Sequence, residues 1–333
     1  MTWPPPPEPL GTRLDVVGVG EAMLLLQAPP PLPIEEADSL SVSVAGAELN
    51  VCAAVARLGG RAAFLSAVGA DAPGRRVRRA VRDLDVADTL VREDPARPTG
   101  LFLRETPAGG QRRVTYYRAG SAASALDAPD AALLTAVNAP RSVVVSGLTA
   151  ALGAGPRRLL ERLAREAADT GAALVLDVNL RPALGTEEAL ATMRRILPHV
   201  DLLMLGDDES GPLFGTTDPA DVLATAAAAG VGETVLKGGE RGCWLRDEDE
   251  ESRHVPAHPT RVVDTVGAGD AFLGAFLAGR LAGARSLPAA RLGARIAAGV
   301  VALPGDTEGL PDRPTARRLL TAALTTPPPP GRY

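Results

Sequence analysis

The feature that most restricts the fold is a rhythm. Short runs of Val, Leu and Ala, most of them closed by Gly, recur along the chain with helical stretches between them. LDVVGVG (Leu14–Gly20) reads as a first buried strand. AELNVCAAVARLGG (Ala47–Gly60) reads as a helix ended by glycine. AAFLSAVG (Ala62–Gly69) is a second strand, and GRRVRRAVRDL (Gly74–Leu84) a second helix with an arginine face. SVVVSG (Ser142–Gly147) follows, then a helix through PRRLLERLAREAADT, then ALVLDVN (Ala173–Asn179), DLLMLG (Asp201–Gly206) and TVLKGG (Thr234–Gly239). Strand, helix and strand in this order make crossover units, so the pattern predicts an α/β sandwich: a mostly parallel sheet with helices on both faces. The composition agrees. Apolar residues make up 46% of the chain but aromatic ones only 3%, so the core is built from Ala, Val and Leu.

Two stretches break the rhythm. Glu21–Val44 is rich in proline and then alternates around SLSVSV. Thr99–Arg118, TGLFLRETPAGGQRRVTYYR, is two alternating runs joined by Pro-Ala-Gly-Gly, a hairpin pattern. Alternation marks half-exposed strands. We read a small second sheet standing away from the main layer and placed to act as a lid. The other reading is an edge extension of the main sheet.

Formal charge is −5, which gives no basic excess for nucleic acid or an anionic membrane. The two cysteines, Cys52 and Cys243, supply neither a disulfide framework nor a metal cluster. MTWPPPPEPL lacks the apolar run of a secretory signal, and nothing in the sequence reaches the ~20 apolar residues that span a bilayer. The expectation is a reduced, cytoplasmic, soluble protein without nucleic-acid or membrane partners. The proline tracts at Pro4–Pro7 and Pro327–Pro330 are expected to be disordered tails, covering residues 1–12 and 326–333. Lysine is nearly absent: Lys237 is the only one in a chain full of arginine.

Chemistry concentrates at VDTVGAGDAF (Val263–Phe272). A small-residue turn, Gly267-Ala268-Gly269, ends on Asp270 and opens an apolar helix, DAFLGAFLAGRLAG. Amides at a helix start have no internal partner and carry partial positive charge, and glycines let them approach a ligand. That makes an anion site, most often for phosphate. An ordinary helix cap also places Asp here. The alternative uses both halves: amides stabilise a moving phosphoryl group while the carboxylate takes a proton from an attacking hydroxyl.

DTVGAGDAF resembles the C-terminal signature of the PfkB, or ribokinase-like, family of carbohydrate kinases, and AGAELNVCAAVARLGGRAAFLSAVG (Ala45–Gly69) resembles its N-terminal signature. YYRAGSAAS (Tyr116–Ser124), DVNLRP (Asp177–Pro182) and GDTEGLP (Gly305–Pro311) are similar to the branch of 2-keto-3-deoxygluconate kinases. The resemblance implies a ribokinase-like three-layer sandwich over residues 13–325. Its small β-sheet lid falls at about 21–44 and 99–118, and it also implies assembly as a homo-oligomer through that lid.

It further implies an ATP-dependent sugar kinase that phosphorylates the terminal (6-) hydroxyl of 2-keto-3-deoxygluconate. Asp270 becomes the base, and Gly267, Ala268 and Gly269 with the Asp270 amide become the anion hole. The sugar acid falls against Gly46, Asn50, Phe102, Tyr116, Arg118, Arg181 and Asp306, where guanidinium can grip a carboxylate through two hydrogen bonds. ATP falls against Asn179, Arg181, Lys237, Gly238, Gly239 and Gly242. Glu209 organises Mg²⁺ through water, and dependence on a monovalent cation stays open. The alternatives are another PfkB sugar kinase, of fructokinase or ribokinase type, and a catalytically silent sugar sensor.

Overall fold

The computed structural model describes residues 13–110, 112–136, 140–181, 186–246 and 251–325. The proline-rich tails at 1–12 and 326–333 lie outside the described residues, as does Pro182 of the DVNLRP stretch. In chain order the strands are β1 (Val16–Val19), β2 (Met23–Gln27), β3 (Ser41–Ala45), β4 (Ala62–Gly69), β5 (Val91–Asp94), β6 (Leu101–Glu105), β7 (Arg113–Tyr117), β8 (Ser142–Ser146), β9 (Ala173–Asp177), β10 (Leu202–Gly206), β11 (Glu233–Lys237), β12 (Cys243–Arg246) and β13 (Ser252–Val255). The helices are α1 (Ala47–Arg57), α2 (Ala72–Asp83), α3 (Leu133–Ala136), α4 (Gly147–Ala150), α5 (Ala154–Thr170), α6 (Glu187–Ile196), α7 (Asp207–Phe214), α8 (Pro219–Ala228), α9 (Ala268–Leu281), α10 (Ser286–Val301) and α11 (Arg313–Thr325).

Nine strands form the main sheet in the order β13-β12-β11-β10-β9-β8-β1-β4-β5. From β11 to β5 every neighbouring pair is parallel. Successive side chains point to opposite faces, so a strand covered on both sides is apolar throughout. In β8, Val143 and Val145 enter one core with Leu159 and Leu163 of α5. Val144 enters the other with Phe272 and Phe276 of α9. A further cluster joins α9 and α10 to Ala316 of α11 and Ala54 of α1.

The antiparallel edge, β12 and β13, was absent from the strand–helix reading. It follows from turn length. The chain from β11 to β12 passes through only Gly238–Gly242, a single 3-10 turn too short for the crossover that parallel strands need, so the strands pair as a hairpin. The turn is closed by Gly238 N–H donating to Gly242 O at 2.8 Å. Gly242 has φ +86°, and a Cβ there would lie 2.0 Å from Val255 O.

The two breaks in rhythm form one separate four-stranded sheet, β3-β2-β6-β7. This resolves the choice between a second sheet and an edge extension. β2–β3 and β6–β7 are antiparallel, while β2 and β6 lie parallel. One face buries Met23, Leu25, Ala45 and Phe102 against Tyr116. The other leaves Val42 and Tyr117 exposed, while Val114, also exposed, shares the face of Tyr116. Among the described residues no helix is long and apolar enough to cross a membrane.

Candidate active site

A cleft of about 460 Å³ opens between the small sheet and the carboxyl ends of the parallel strands. This is where open α/β sheets bind ligands, because the βα turns fan apart there and the helices that follow present their N-termini. Asp177 ends β9, Gly206 ends β10 and Lys237 ends β11, and all three line the cleft.

The α9 turn forms one wall. Gly267 caps the helix with φ +73°, and a Cβ there would fall 2.2 Å from Asp306 O. Only glycine permits both this left-handed turn and that approach. The first helical bond runs from Ala271 N–H to Gly267 O at 2.8 Å, so the preceding amides are the open donors of the helix start. Asp270 lies in the first turn with its carboxylate buried. Asn50 Nδ2 on α1 donates to Asp270 Oδ2 at 2.8 Å. Burial pushes the Asp270 carboxyl up to about 7, with Asp177 and Asp306 adding to the rise while Asn50 and Lys237 oppose it. A carboxylate in that range accepts and releases protons near neutrality.

Lys237 Nζ meets Asp177 Oδ1 at 3.0 Å and would stand 3.3 Å from a Cβ on Gly269. Burial works against its charge, but Asp177 and Glu209 outweigh burial and its pKa is raised. Asn179 donates to Asp177 Oδ2 at 3.3 Å and holds φ +38°, a left-handed conformation that Asn tolerates better than most residues. Glu209 accepts from Leu180 N–H at 2.8 Å and Gly206 N–H at 2.6 Å. Burial, then Asp177, raises its pKa.

The small sheet and the turn after β1 supply the opposite wall. Arg118 Nε donates to buried Glu21 at 2.7 Å, and Ser121 Oγ adds a second bond to Glu21 at 2.5 Å. The guanidinium lies 5.5 Å from the Tyr116 ring, which stands 5.7 Å from Phe102. Arg104 reaches Asp306 Oδ1 at 3.1 Å. Glu48, buried on α1, accepts from Ser146 and from Thr149 Oγ1, and burial raises its pKa. Arg181 is exposed and donates to Leu180 O at 2.9 Å.

The cleft therefore gathers Gly267, Gly269, Asp270, Gly46, Asn50, Phe102, Tyr116, Arg118, Arg181, Asp306, Asn179, Lys237 and Glu209. Ala268, Gly238, Gly239 and Gly242 are not among its lining residues. Gly238 and Gly242 have a packing reason of their own: a Cβ on Gly238 would lie 2.5 Å from the Trp244 ring. The sequence reading missed Glu21, Glu48, Arg104, Arg112 and Asp177, which also line the cleft. For Arg104 a signal existed. It sits two residues from Phe102 in LFLRE, on the strand's apolar face.

Among the described residues no three His, Cys, Asp or Glu groups are arranged to hold a metal by themselves. Asp208 and Glu209 nonetheless put hard oxygen donors on one side of the cleft. That suits Mg²⁺, which keeps several waters and takes few protein ligands.

A model of the pfkB family carbohydrate kinases matches residues 13–313. A 2-dehydro-3-deoxygluconokinase of Thermoproteus tenax is 33% identical over 323 residues, covering 95% of this chain and 97% of the relative. One of Bacillus subtilis is 31% identical over 323 residues, covering 94% and 97%. The crystal structure of a PfkB protein from Polaromonas sp. JS666 superposes with a TM-score of 0.81 at 30% identity, over 91% of this chain and 98% of that one.

Proposed function

The chain belongs to the pfkB family of carbohydrate kinases, and from that premise we propose that it transfers the γ-phosphoryl group of ATP to the terminal 6-hydroxyl of 2-keto-3-deoxygluconate. The observation that carries this reading is the pairing at α9: a buried acid poised near neutrality beside open helix amides, both facing one cleft. The sugar hydroxyl lies against Asp270. As its oxygen bonds to the γ-phosphorus, its proton passes to Asp270 and the bond to the bridging oxygen of ADP breaks. The amides at Gly267–Asp270 and the Lys237 ammonium offset the charge on the moving phosphoryl oxygens. Bound Mg²⁺ would neutralise phosphate charge, with Glu209 holding one of its waters and Asp208 on the same side.

The sugar-acid carboxylate is assigned to Arg118 and Arg181. Glu21 occupies the Nε of Arg118, which leaves its two terminal amino groups as a fork for the ligand. Phe102 and Tyr116 form a ring wall beside it. Two relatives similar along nearly their full length carry the name 2-dehydro-3-deoxygluconokinase, which favours this substrate.

The test is ADP release with Mg²⁺ and ATP across a panel of 2-keto-3-deoxygluconate, fructose and ribose. Preference for the keto-deoxy acid is expected. Fructose or ribose turned over much faster would overturn the substrate. Sugar binding in a calorimeter without ADP formation would make the protein a sensor.

A further inference from the structure

The small sheet touches the α9 turn through a line of side chains that the phosphoryl-transfer scheme does not use. Arg104 projects from the buried face of β6 and is 5% exposed. Its Nε donates to Gln27 Oε1 on β2 at 2.8 Å, and its Nη1 donates to Asp306 Oδ1 at 3.1 Å. Asn50 Nδ2 lies 3.5 Å from Asp306 Oδ2 and 2.8 Å from Asp270 Oδ2, so one amide group serves both carboxylates. Asp306 is fixed from behind as well, since its carbonyl oxygen occupies the space a Cβ on residue 267 would need. A guanidinium this deeply buried needs its partners, so the contact with Asp306 belongs to the fold.

We propose that Arg104 is a positioning residue: carried on the small sheet, it holds Asp306, and through Asp306 and Asn50 it sets how Asp270 is aimed and how much negative charge surrounds it. This rests on the reading of Asp270 as the base. The groups facing Asp270 are Asp177 from β9, Lys237 from β11, Asn50 from α1 and Asp306 from the segment after α10. Asp306 in turn faces Arg104, Asn50 and Glu308. Burial and Asp177 raise the proton affinity of Asp270, Asp306 adds to it, and Asn50 and Lys237 lower it. With Arg104 docked, the Asp306 charge is offset and the Asn50 amide keeps its shorter bond on Asp270, 2.8 Å against 3.5 Å to Asp306. With Arg104 withdrawn, Asp306 competes for that amide and its uncompensated charge favours protonated Asp270. Seating of the small sheet thus raises the share of ionised base at neutral pH.

The experiment measures kcat and kcat/KM of the whole protein, with the best sugar of the panel, from about pH 5.5 to 9. It compares wild type, Arg104→Gln, Arg104→Lys, Asp306→Asn, the Asp306→Asn/Arg104→Gln double variant and Asp270→Asn. Arg104→Gln is expected to move the acid limb of kcat/KM upward by about half a unit to one unit, so its relative loss is about three- to tenfold greater at low pH than at high. Arg104→Lys keeps the charge and should keep the limb. In the Asp306→Asn background, Arg104→Gln should leave the limb where it is. A loss from Arg104→Gln that is equal at every pH overturns the inference, and so does a limb that shifts equally without Asp306. If Arg104→Gln does not fold, the double variant decides, because it removes both charges of the pair and leaves neither buried alone: an acid limb at or below the wild-type position supports the proposal, and a limb raised above it overturns the proposal. A wild type with no acid limb, or an active Asp270→Asn, removes the base and this inference with it. A wild-type limb that Arg104→Gln leaves unmoved removes this inference alone.

Discussion

The two walls of the cleft are built by different means. The α9 turn is local: Gly267, Gly269 and Asp270 lie within four residues, and the helix behind them is buried on nearly all sides. The small-sheet wall is assembled at long range. Arg118 finds Glu21 across 97 residues of chain and Arg104 finds Asp306 across 202. A turn that closes on itself fixes geometry to the precision that bond breaking needs. The other wall is held by ion pairs between the small sheet and loops of the main layer, and it fixes charge. On the proposed mechanism, damage to the first wall lowers kcat, while in the second wall damage at Arg118 raises KM for the sugar and damage at Arg104 shifts the pH at which the base ionises.

Asp270→Asn tests that division most severely. Turnover should fall by ~10²–10⁴ while nucleotide affinity persists; a mutant within a few-fold of wild type would refute the role. Its stability should move the other way. The folded carboxyl titrates at about 7 against the ordinary aspartate value of 3.8, so between these pH values the folded state binds more protons than the unfolded one, and stability falls as pH rises through the window. Neutralising the side chain should therefore stabilise the fold at pH 8, by about 4 kcal/mol at most, raising the melting temperature there and changing it little at pH 4.

Next comes pH itself. With a base titrating at about 7, kcat/KM should fall tenfold per unit below that point, about a hundredfold by pH 5. A flat profile would break the assignment. Arg118→Ala sharpens the contrast from the other side. It leaves Glu21 buried without its cation, so unfolding should become easier by about 3–5 kcal/mol, and KM for a sugar acid should rise about tenfold with kcat nearly kept. Neutral sugars should show no such rise. Tyr116→Phe is the mildest change. It removes a hydroxyl but keeps the ring beside Phe102, and about threefold or less in KM is expected by direct assay.

The parallel core was legible because most of its strands are apolar runs and its helices end at glycines; β1, β4, β8, β9 and β10 lie within the expected runs and β11 begins one residue before its run, at Glu233, while the charged β5, VRED, gave no such signal. The α9 turn was legible because its parts are contiguous. What escaped was non-local. Asp177 ends an apolar strand, and nothing near it in sequence points to Lys237, 60 residues away. Glu21 and Glu48 look like surface acids until the fold buries both. Gly238 and Gly242 carry a constraint that the sequence does not show: a tryptophan ring and a neighbouring strand leave room for nothing larger at either position.

The scarcity of lysine has a practical sequel. A lysine-specific protease has one bond to cut in the entire chain, between Lys237 and Gly238. That bond sits where β11 runs into the β12 hairpin, with the Lys237 side chain tied to Asp177 inside the cleft. Appearance of two fragments would time the opening of this corner alone, and ligands that slow their appearance would reveal themselves without any assay of turnover.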